Sequence, residues 1–262
     1  MQIRGTTMFR MFIAGMLMLA TTSIWPANAG AGESFRVGVN HNDRPFCMVD
    51  ERGELTGFSV EVARALCKAM RADCRLVATN FADFLPSIMD NRLDFVVANV
   101  LRTSEREKLV DFSKPFWRSA SMFIAKPGVL KDLSAASLKG KRIAVHRGSV
   151  QEKYLRENYG DSLTIQSFPT NIERNAALAQ GQADLAFGST VSHFAFLTTP
   201  EGTGFDFIGQ PLDGEGLGGG VAIPLLKGRP ELRQRLDAAI DAIVADGTFA
   251  RISRKYFGAS MF

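Results

Sequence analysis

The chain has 262 residues, of which 46% are apolar and 22% charged, and its formal net charge is +4. This composition excludes a disordered or low-complexity protein and leaves enough apolar material for one or two buried cores. The 24 glycines and 10 prolines are close to average usage, which excludes a collagen-like chain as well.

The first thirty residues have the pattern of an export signal. Arg4 and Arg10 precede an uncharged stretch that is most apolar over 11–20, and Ala27-Asn28-Ala29 follows as an A-x-A cleavage pattern. The apolar part is about ten residues long, whereas a membrane span needs about twenty. We therefore expect a signal peptide over 1–29, cleavage near Ala29 and a periplasmic protein. Removal of the signal peptide takes away two positive charges. The charges of the mature chain are nearly balanced, which gives no reason to expect a nucleic-acid partner.

A first α/β unit is predicted over residues 35–100. Apolar periodicity gives an alternating strand, an amphipathic helix, a short strand, a second helix and a buried apolar strand, at 35–39, 60–70, 75–78, 84–91 and 94–100. This β-α-β-α-β order predicts an open parallel sheet. The polar loop 40–45 leaves the first strand at its carboxyl end, where α/β folds bind ligands.

The same pattern returns about ninety residues later, which indicates an internal repeat. Strands are predicted at 141–145 and 163–166, helices from Gly148-Ser149 and over 172–179, and segment 181–188 resembles 91–98. Two copies predict two lobes rather than one sheet. Extended segments at 116–125 and 218–223 would be the two crossings, and helices over 231–245 and up to 257 would pack back on the first lobe. The expected domains are lobe 1 over 30–118, lobe 2 over 119–217, and a return to lobe 1 over 218–262.

The three cysteines suit an oxidising compartment. Cys67 lies late in the first helix and Cys74 just beyond it, so a disulfide between them would hold the helix end against the next strand and contribute about 2–3 kcal/mol. Cys47 is left over, and we interpret it as a half-buried apolar residue rather than a nucleophile, since only His41 lies near it in sequence. Three His and three Cys without paired spacing predict no metal site, and no cofactor is expected.

A series of short motifs carries a family resemblance over 35–257. The chain resembles the periplasmic polar-amino-acid-binding proteins of ABC importers, a group that includes the histidine- and lysine/arginine/ornithine-binding proteins. The motifs are Gly57-Phe58, Cys67 to Cys74, Phe84-Leu85-Pro86-Ser87, Arg92-Leu93-Asp94, Thr103-Ser104-Glu105-Arg106, Asp111-Phe112-Ser113, Leu138-Lys139-Gly140-Lys141, Gly148-Ser149, Asp246-Gly247-Thr248 and Lys255-Tyr256-Phe257. The resemblance implies a two-lobed α/β fold with two open, mostly parallel sheets and two hinge crossings. It also implies a monomer that closes on a small solute and delivers it to an ABC permease.

Arg106 is the expected partner of the ligand's carboxylate. It follows a buried strand and lies where a helix begins, so its guanidinium would be fixed for bidentate recognition beside free backbone amides. Sequence alone favours a solvated surface arginine; the resemblance reverses this, because the family's α-carboxylate clamp falls on Arg106. The helix start at Ser149, Val150 and Gln151 would add amide donors from lobe 2.

Several positions depart from the family pattern and leave the ligand class open. Asp43 stands where the family commonly has an aromatic residue, and we interpret it either as a solvated turn residue or as the partner of a cation. The acid that takes the α-ammonium aligns with Ser189, whose hydroxyl is a weaker partner. Either Asp43 takes over that role, or the ligand is an opine, an amino-acid derivative or another small carboxylate.

Three further positions match the family's pocket. Asn99 is the polar group that remains at a strand end where the family has hydroxyls. Asn40 replaces an acid that reads the distal group of the ligand, which would weaken selection for Lys or Arg. Phe81 matches an aromatic residue of the pocket wall, although core packing is the more common role of a Phe.

Three classes of function fit these features. We expect a binding receptor for a small carboxylate rather than an enzyme. The alternative is an exported enzyme on the same scaffold, since some proteins that resemble this family are dehydratases of cyclohexadienyl acids, and Asp43 is the one candidate acid or base. A sensor module is the third, but sensory versions are usually joined to a membrane segment and a signalling domain, and this chain ends at Phe262.

Overall fold

The computed structural model of the protein describes residues 1–2, 33–214 and 216–258. Contacts divide the chain into two compact units, residues 1–31 and 32–262, and the second holds the fold described below. Apart from residues 1–2, the predicted signal peptide and its cleavage site at Ala29 lie outside the described residues. Of the helices that are described, none has both the length and the apolar character that a membrane span requires.

The described chain alternates strands and helices throughout. The strands are β1 (Ser34–Asn40), β2 (Met48–Val49), β3 (Leu55–Thr56), β4 (Asp73–Thr79), β5 (Phe95–Val96), β6 (Asp111–Phe112), β7 (Trp117–Ser119), β8 (Ser121–Ala125), β9 (Arg142–His146), β10 (Thr164–Phe168), β11 (Leu185–Ser189), β12 (Asp206–Leu212), β13 (Gly219–Val221) and β14 (Pro224–Leu225). The helices are α1 (Phe58–Ala69), α2 (Phe84–Met89), α3 (Ser104–Leu109), α4 (Ala135–Leu138), α5 (Val150–Tyr159), α6 (Asn171–Ala179), α7 (Thr190–Leu197), α8 (Pro230–Ala245) and α9 (Thr248–Phe257).

The strands build two larger sheets, each the centre of one lobe. Lobe 1 has the strand order β4-β1-β5-β14-β6 and lobe 2 the order β10-β9-β11-β8-β12. In each sheet a single strand, β14 or β8, runs against its neighbours, and the other four share one direction. The predicted α/β class with two open, mostly parallel sheets is therefore confirmed.

The internal repeat appears as the same side-chain arrangement in both lobes. Asp94 of lobe 1 accepts hydrogen bonds from the backbone amide (2.8 Å) and the guanidinium (3.1 Å) of Arg36 in β1. Asp184 of lobe 2 does the same for Arg142 in β9, at 2.9 and 3.3 Å. Each aspartate thereby joins the start of one parallel strand to its neighbour.

Helix α1 covers the first sheet and shows how the loop before it is fixed. Its apolar face, which includes Val62 and Leu66, is fully buried in the core of lobe 1. Gly57 precedes the helix with φ of 124°, and a Cβ on it would lie 2.5 Å from the carbonyl oxygen of Phe46. Glycine is therefore required where the loop 40–47 packs against the helix start. The predicted disulfide is present between Cys67, in the last turn of α1, and Cys74 in β4.

One predicted strand is much shorter than expected. The apolar run 94–100 is buried as predicted, but only Phe95–Val96 forms a strand. The amide of Val97 still donates to Gly38, and the chain then turns so that the amide of Val100 donates to Ala98. The apolar pattern thus reports burial, while the turn carries the next residues out of the sheet.

Two paired crossings join the lobes. Strands β7 and β13 run antiparallel, with Gly219 opposite Ser119 and Val221 opposite Trp117. The chain passes to lobe 2 through β7 and returns through β13. Helices α8 and α9 then pack on lobe 1, where Leu236, Ile240 and Phe249 complete its core, as the sequence predicted.

Candidate functional site

A cavity lies between the two lobes at the carboxyl ends of their parallel strands. All nine residues singled out in the sequence line it. Those from lobe 1 are Asn40, Asp43, Phe81, Asn99 and Arg106, and those from lobe 2 are Ser149, Val150, Gln151 and Ser189. Their roles as ligand contacts stay a prediction, but the structure brings them to one place.

Arg106 enters the cavity from the short helix α3. Its Nη1 donates to the carbonyl oxygen of Leu101 at 2.9 Å, its Nη2 donates across the cleft to Gly148 at 3.4 Å, and its Cζ lies 5.6 Å from the ring centre of Phe81. No ion pair among the described residues includes Arg106. Burial lowers the pKa of its guanidinium to about 10, although Glu105 raises it. The side chain is therefore held in place without a carboxylate of the described chain bonded to it.

One amide in the first turn of α3 is already paired. The amide of Arg106 is not free, since it donates to Oγ1 of Thr103, the residue that caps α3, at 3.3 Å. Helix α5 of lobe 2 also contributes open amides. Ser149 caps that helix by accepting from the amide of Glu152 at 3.1 Å. The amides of Val150 and Gln151 belong to its first turn and have no intrahelical partner, and both residues line the cavity.

The side chain of Gln151 is directed at the crossing. Its Nε2 donates to Oγ of Ser121 at 2.6 Å, and that hydroxyl donates to the carbonyl oxygen of Leu217 at the same distance. Leu217 precedes the return crossing, whereas Ser121 follows the first. The amide group of Gln151 therefore ties the start of α5 to both chain passages.

Asp43 is buried, so its interpretation as a solvated turn residue is wrong. It is 2% exposed and accepts from Nδ2 of Asn40 at 2.9 Å and from Nδ2 of Asn171 in lobe 2 at 3.0 and 3.1 Å. Burial raises the pKa of its carboxyl group to about 6, although the bond from Asn171 and the charge of Arg174 lower it. Both of its hydrogen-bond donors are neutral amides, and no ion pair within the described residues includes Asp43.

A second polar contact crosses the cleft between Asn99 and Ser189. Nδ2 of Asn99 donates to Oγ of Ser189 at 2.9 Å, and Ser189 also caps helix α7. The Oδ1 atoms of Asn99 and Asn40 are buried without a hydrogen-bond partner. Since buried polar atoms are normally paired, these two oxygens are acceptors that remain available for a further hydrogen bond.

Four polar residues of the site were missed in the sequence: His146, Asn171, Arg174 and Ser192. Asn171 and Arg174 lie in the first turns of α6, which starts with a capping box between Thr170 and Glu173. The pattern T-x-x-E is visible in the sequence and marks a helix start after a strand. His146 ends β9, and its ring lies 4.9 Å from that of Phe81. Burial and the charge of Arg174 lower the pKa of His146 to about 4.

Comparison with known proteins agrees with this architecture. The family model of bacterial extracellular solute-binding proteins, family 3, matches residues 35–259. An L-arginine-binding protein of Pseudomonas aeruginosa is 31% identical over 97% of this chain and 99% of its own. The lysine/arginine/ornithine-binding periplasmic protein of Escherichia coli K12 is 27% identical over the same shares. An ancestral arginine-binding protein, solved bound to arginine, has a TM-score of 0.77 at 28% identity, covering 86% of this chain and 98% of that one. The resemblance seen in the sequence is confirmed, and the chain belongs to the bacterial extracellular solute-binding proteins of family 3.

Proposed function

We propose that this protein is a periplasmic receptor of an ABC importer that captures a small carboxylate between its two lobes. The single observation that carries the proposal is the Arg106 guanidinium, which is held in the interlobe cavity without an ion pair. The same function is supported by the relatives, which are named as amino-acid-binding proteins. The proposal includes export by a signal peptide over 1–29, a monomeric receptor, a permease partner and the lobe boundaries given by the sequence.

The proposed capture uses donors from both lobes. Arg106 offers charge-assisted hydrogen bonds from lobe 1, and the first amides of α5 offer a positive helix terminus from lobe 2. A carboxylate held by both is better bound when the lobes are closed. Its differential affinity shifts the hinge equilibrium towards the closed state, which is the form that a permease can distinguish.

The test is the loss of binding on substitution of Arg106. Isothermal calorimetry of the mature chain with a panel of amino acids, amino-acid derivatives and simple organic acids should identify a ligand. We expect Arg106→Met to weaken its binding by about 100-fold or more, as removal of a desolvated charged partner does. The matched control is Arg102→Met: Arg102 is exposed, pairs with Glu107 and does not line the cavity. Equal affinity of the wild type and Arg106→Met would refute the proposal.

A second candidate is an enzyme on this scaffold, favoured by one observation. Asp43 faces the cavity with a pKa of about 6, a value suited to proton transfer near neutral pH. The same atoms, however, accept hydrogen bonds from Asn40 and Asn171, which serve to fix the carboxylate between the lobes. Mass spectrometry of the bound ligand after prolonged incubation distinguishes the two candidates, since a receptor returns it unchanged.

A further inference from the structure

Arg174 is a buried cation that the binding of one carboxylate by Arg106 leaves unexplained. It lies in α6 with a relative exposure of 0%. Its Nε and Nη2 donate to Oδ1 of Asn175 at 3.1 and 2.8 Å, and Nη2 lies 3.5 Å from Oγ of Ser192 and from Nδ1 of His193. All three partners are neutral. Asn175 and Ser192 carry no charge, and burial holds the pKa of His193 well below its usual value.

Among the described residues, one nitrogen of this guanidinium is free, and the residue lies at the interlobe cavity. Arg174 lines the cavity, and within the described chain its Nη1 has no hydrogen-bond acceptor. Space for it is provided by Gly188, since a Cβ at that position would lie 2.3 Å from Nη1. Asn175 fixes the opposite edge, so the group is oriented before any ligand binds.

The charges around the cavity do not balance. Arg106 and Arg174 are both positive, and Asp43 is the one carboxylate among the described residues that line the cavity. No ion pair of the described residues joins Asp43 to either arginine, although the charges of Asp43 and Arg174 attract each other. His146 is neutral at pH 7 because its pKa is about 4. Buried charges in folded proteins are normally paired. Neither arginine has a carboxylate of the described residues bonded to it, and Asp43 offsets one of the two positive charges at pH 7. A net positive charge therefore remains in the cavity, which an acidic ligand can balance.

We propose that Arg174 binds a second acidic group of the ligand, so that the ligand is a small compound with two acidic groups. The inference rests on the proposed function, because it assigns the first acidic group to Arg106. A cationic amino acid is disfavoured, since it would add a positive charge where the cavity already has an excess. The unpaired Oδ1 atoms of Asn40 and Asn99 would accept from an amino or hydroxyl group on the same ligand.

The test compares ligands that differ by one charge. Calorimetry of the mature wild-type chain would use succinate, glutarate, L-aspartate and L-glutamate as diacids, L-asparagine and L-glutamine as matched amides, and L-arginine and L-lysine as cations. We expect the best diacid to bind at least about 10-fold more tightly than its amide and than either cation. Comparison of L-glutamate with glutarate shows whether the amino group contributes.

Substitution of Arg174 provides a test that is independent of how much protein is folded. On Arg174→Met, the ratio of the dissociation constants of L-glutamine and L-glutamate should fall by about 10-fold or more relative to the wild type. Both ligands are measured on one protein, so a loss of folded fraction cancels from the ratio. Arg174→Lys keeps the charge and should retain most of the preference.

The outcomes separate this inference from the proposed function. Tighter binding of L-arginine or L-glutamine than of every diacid by the wild type, abolished by Arg106→Met, would overturn the inference and leave the receptor function standing. An unchanged ratio on Arg174→Met would overturn it as well. Failure of every compound in both panels to bind would count against both the inference and the proposed function.

Discussion

Asp43 is a buried carboxylate that joins a loop of lobe 1 to helix α6 of lobe 2 through Asn171. Its pKa is raised to about 6 from 3.8 because burial disfavours the charged form more than the bond from Asn171 and the charge of Arg174 favour it. The folded protein therefore holds this proton more tightly than the unfolded chain does. Between pH 4 and pH 6 the folded state binds more protons, so the free energy of unfolding falls as pH rises.

The substitution Asp43→Asn tests this linkage. A difference of about two pKa units corresponds to about 3 kcal/mol, lost between pH 4 and pH 7 in the wild type and absent in the variant. Urea unfolding of both proteins across this range gives the free energies. His146 acts in the opposite direction, since its lowered pKa removes stability on acidification, but it is present in both proteins and cancels from their difference. Identical pH profiles would contradict the prediction.

For individual residues, the sequence identified many of those that gather at the site but not how their charges are arranged. All nine predicted residues line the cavity, because loops and helix starts at the carboxyl ends of parallel strands must converge there. Arg174 was not identified because an arginine in a polar helix is usually exposed. Its burial depends on Gly188, fourteen positions along the chain, and on the neighbouring Asn175, which only the folded structure brings together.

Among the elements, α1 and β4 are linked covalently by the Cys67–Cys74 disulfide. We expect the free energy of unfolding of the double variant Cys67→Ala/Cys74→Ala to be about 2–3 kcal/mol lower than that of the wild type, because the disulfide restricts the unfolded chain. Neither cysteine lines the interlobe cavity, so ligand affinity should stay within about twofold of the wild type. Thermal or urea unfolding gives the first quantity and calorimetry the second. A large loss of affinity at retained stability would show that this end of lobe 1 does influence the site.

The order of the elements was predictable, and their lengths were less so. Strands β1, β9, β10 and β11 follow the apolar periodicity closely. The run 94–100 was expected to be one long strand because a buried strand and a buried turn have the same apolar composition. In the structure the turn after β5 takes Asn99 out of the sheet and into the cavity. The departure from the predicted strand therefore creates part of the site.

In the molecule as a whole, few direct contacts join the lobes across the cleft. Inside the cavity they are hydrogen bonds, from Asn99 to Ser189, from Asn171 to the carboxylate of Asp43 and from Arg106 to the carbonyl oxygen of Gly148. At the rim, Nζ of Lys153 in α5 lies 3.3 Å from Oε1 of Glu105 in α3, and both side chains are about half exposed. An exposed ion pair contributes about 0.2–1 kcal/mol and is weakened by salt. Closure is therefore expected to depend chiefly on the ligand, with a small electrostatic contribution at the rim.

Reversal of the rim charges measures this contribution. Lys153→Glu places two carboxylates at the mouth of the cleft, so we expect the bound ligand to dissociate about two- to fivefold faster at low salt. Glu105→Lys should have a similar effect, and the double variant should recover most of the loss, because the attraction is restored in reverse. Stopped-flow dissociation of the best ligand from all four proteins completes the double-mutant cycle. The intrahelical pair of Lys153 with Glu157 is lost equally in Lys153→Glu and in the double variant. A recovery in the double variant that disappears at high salt would assign the effect to closure, whereas no recovery would show that the rim pair does not stabilise the closed molecule.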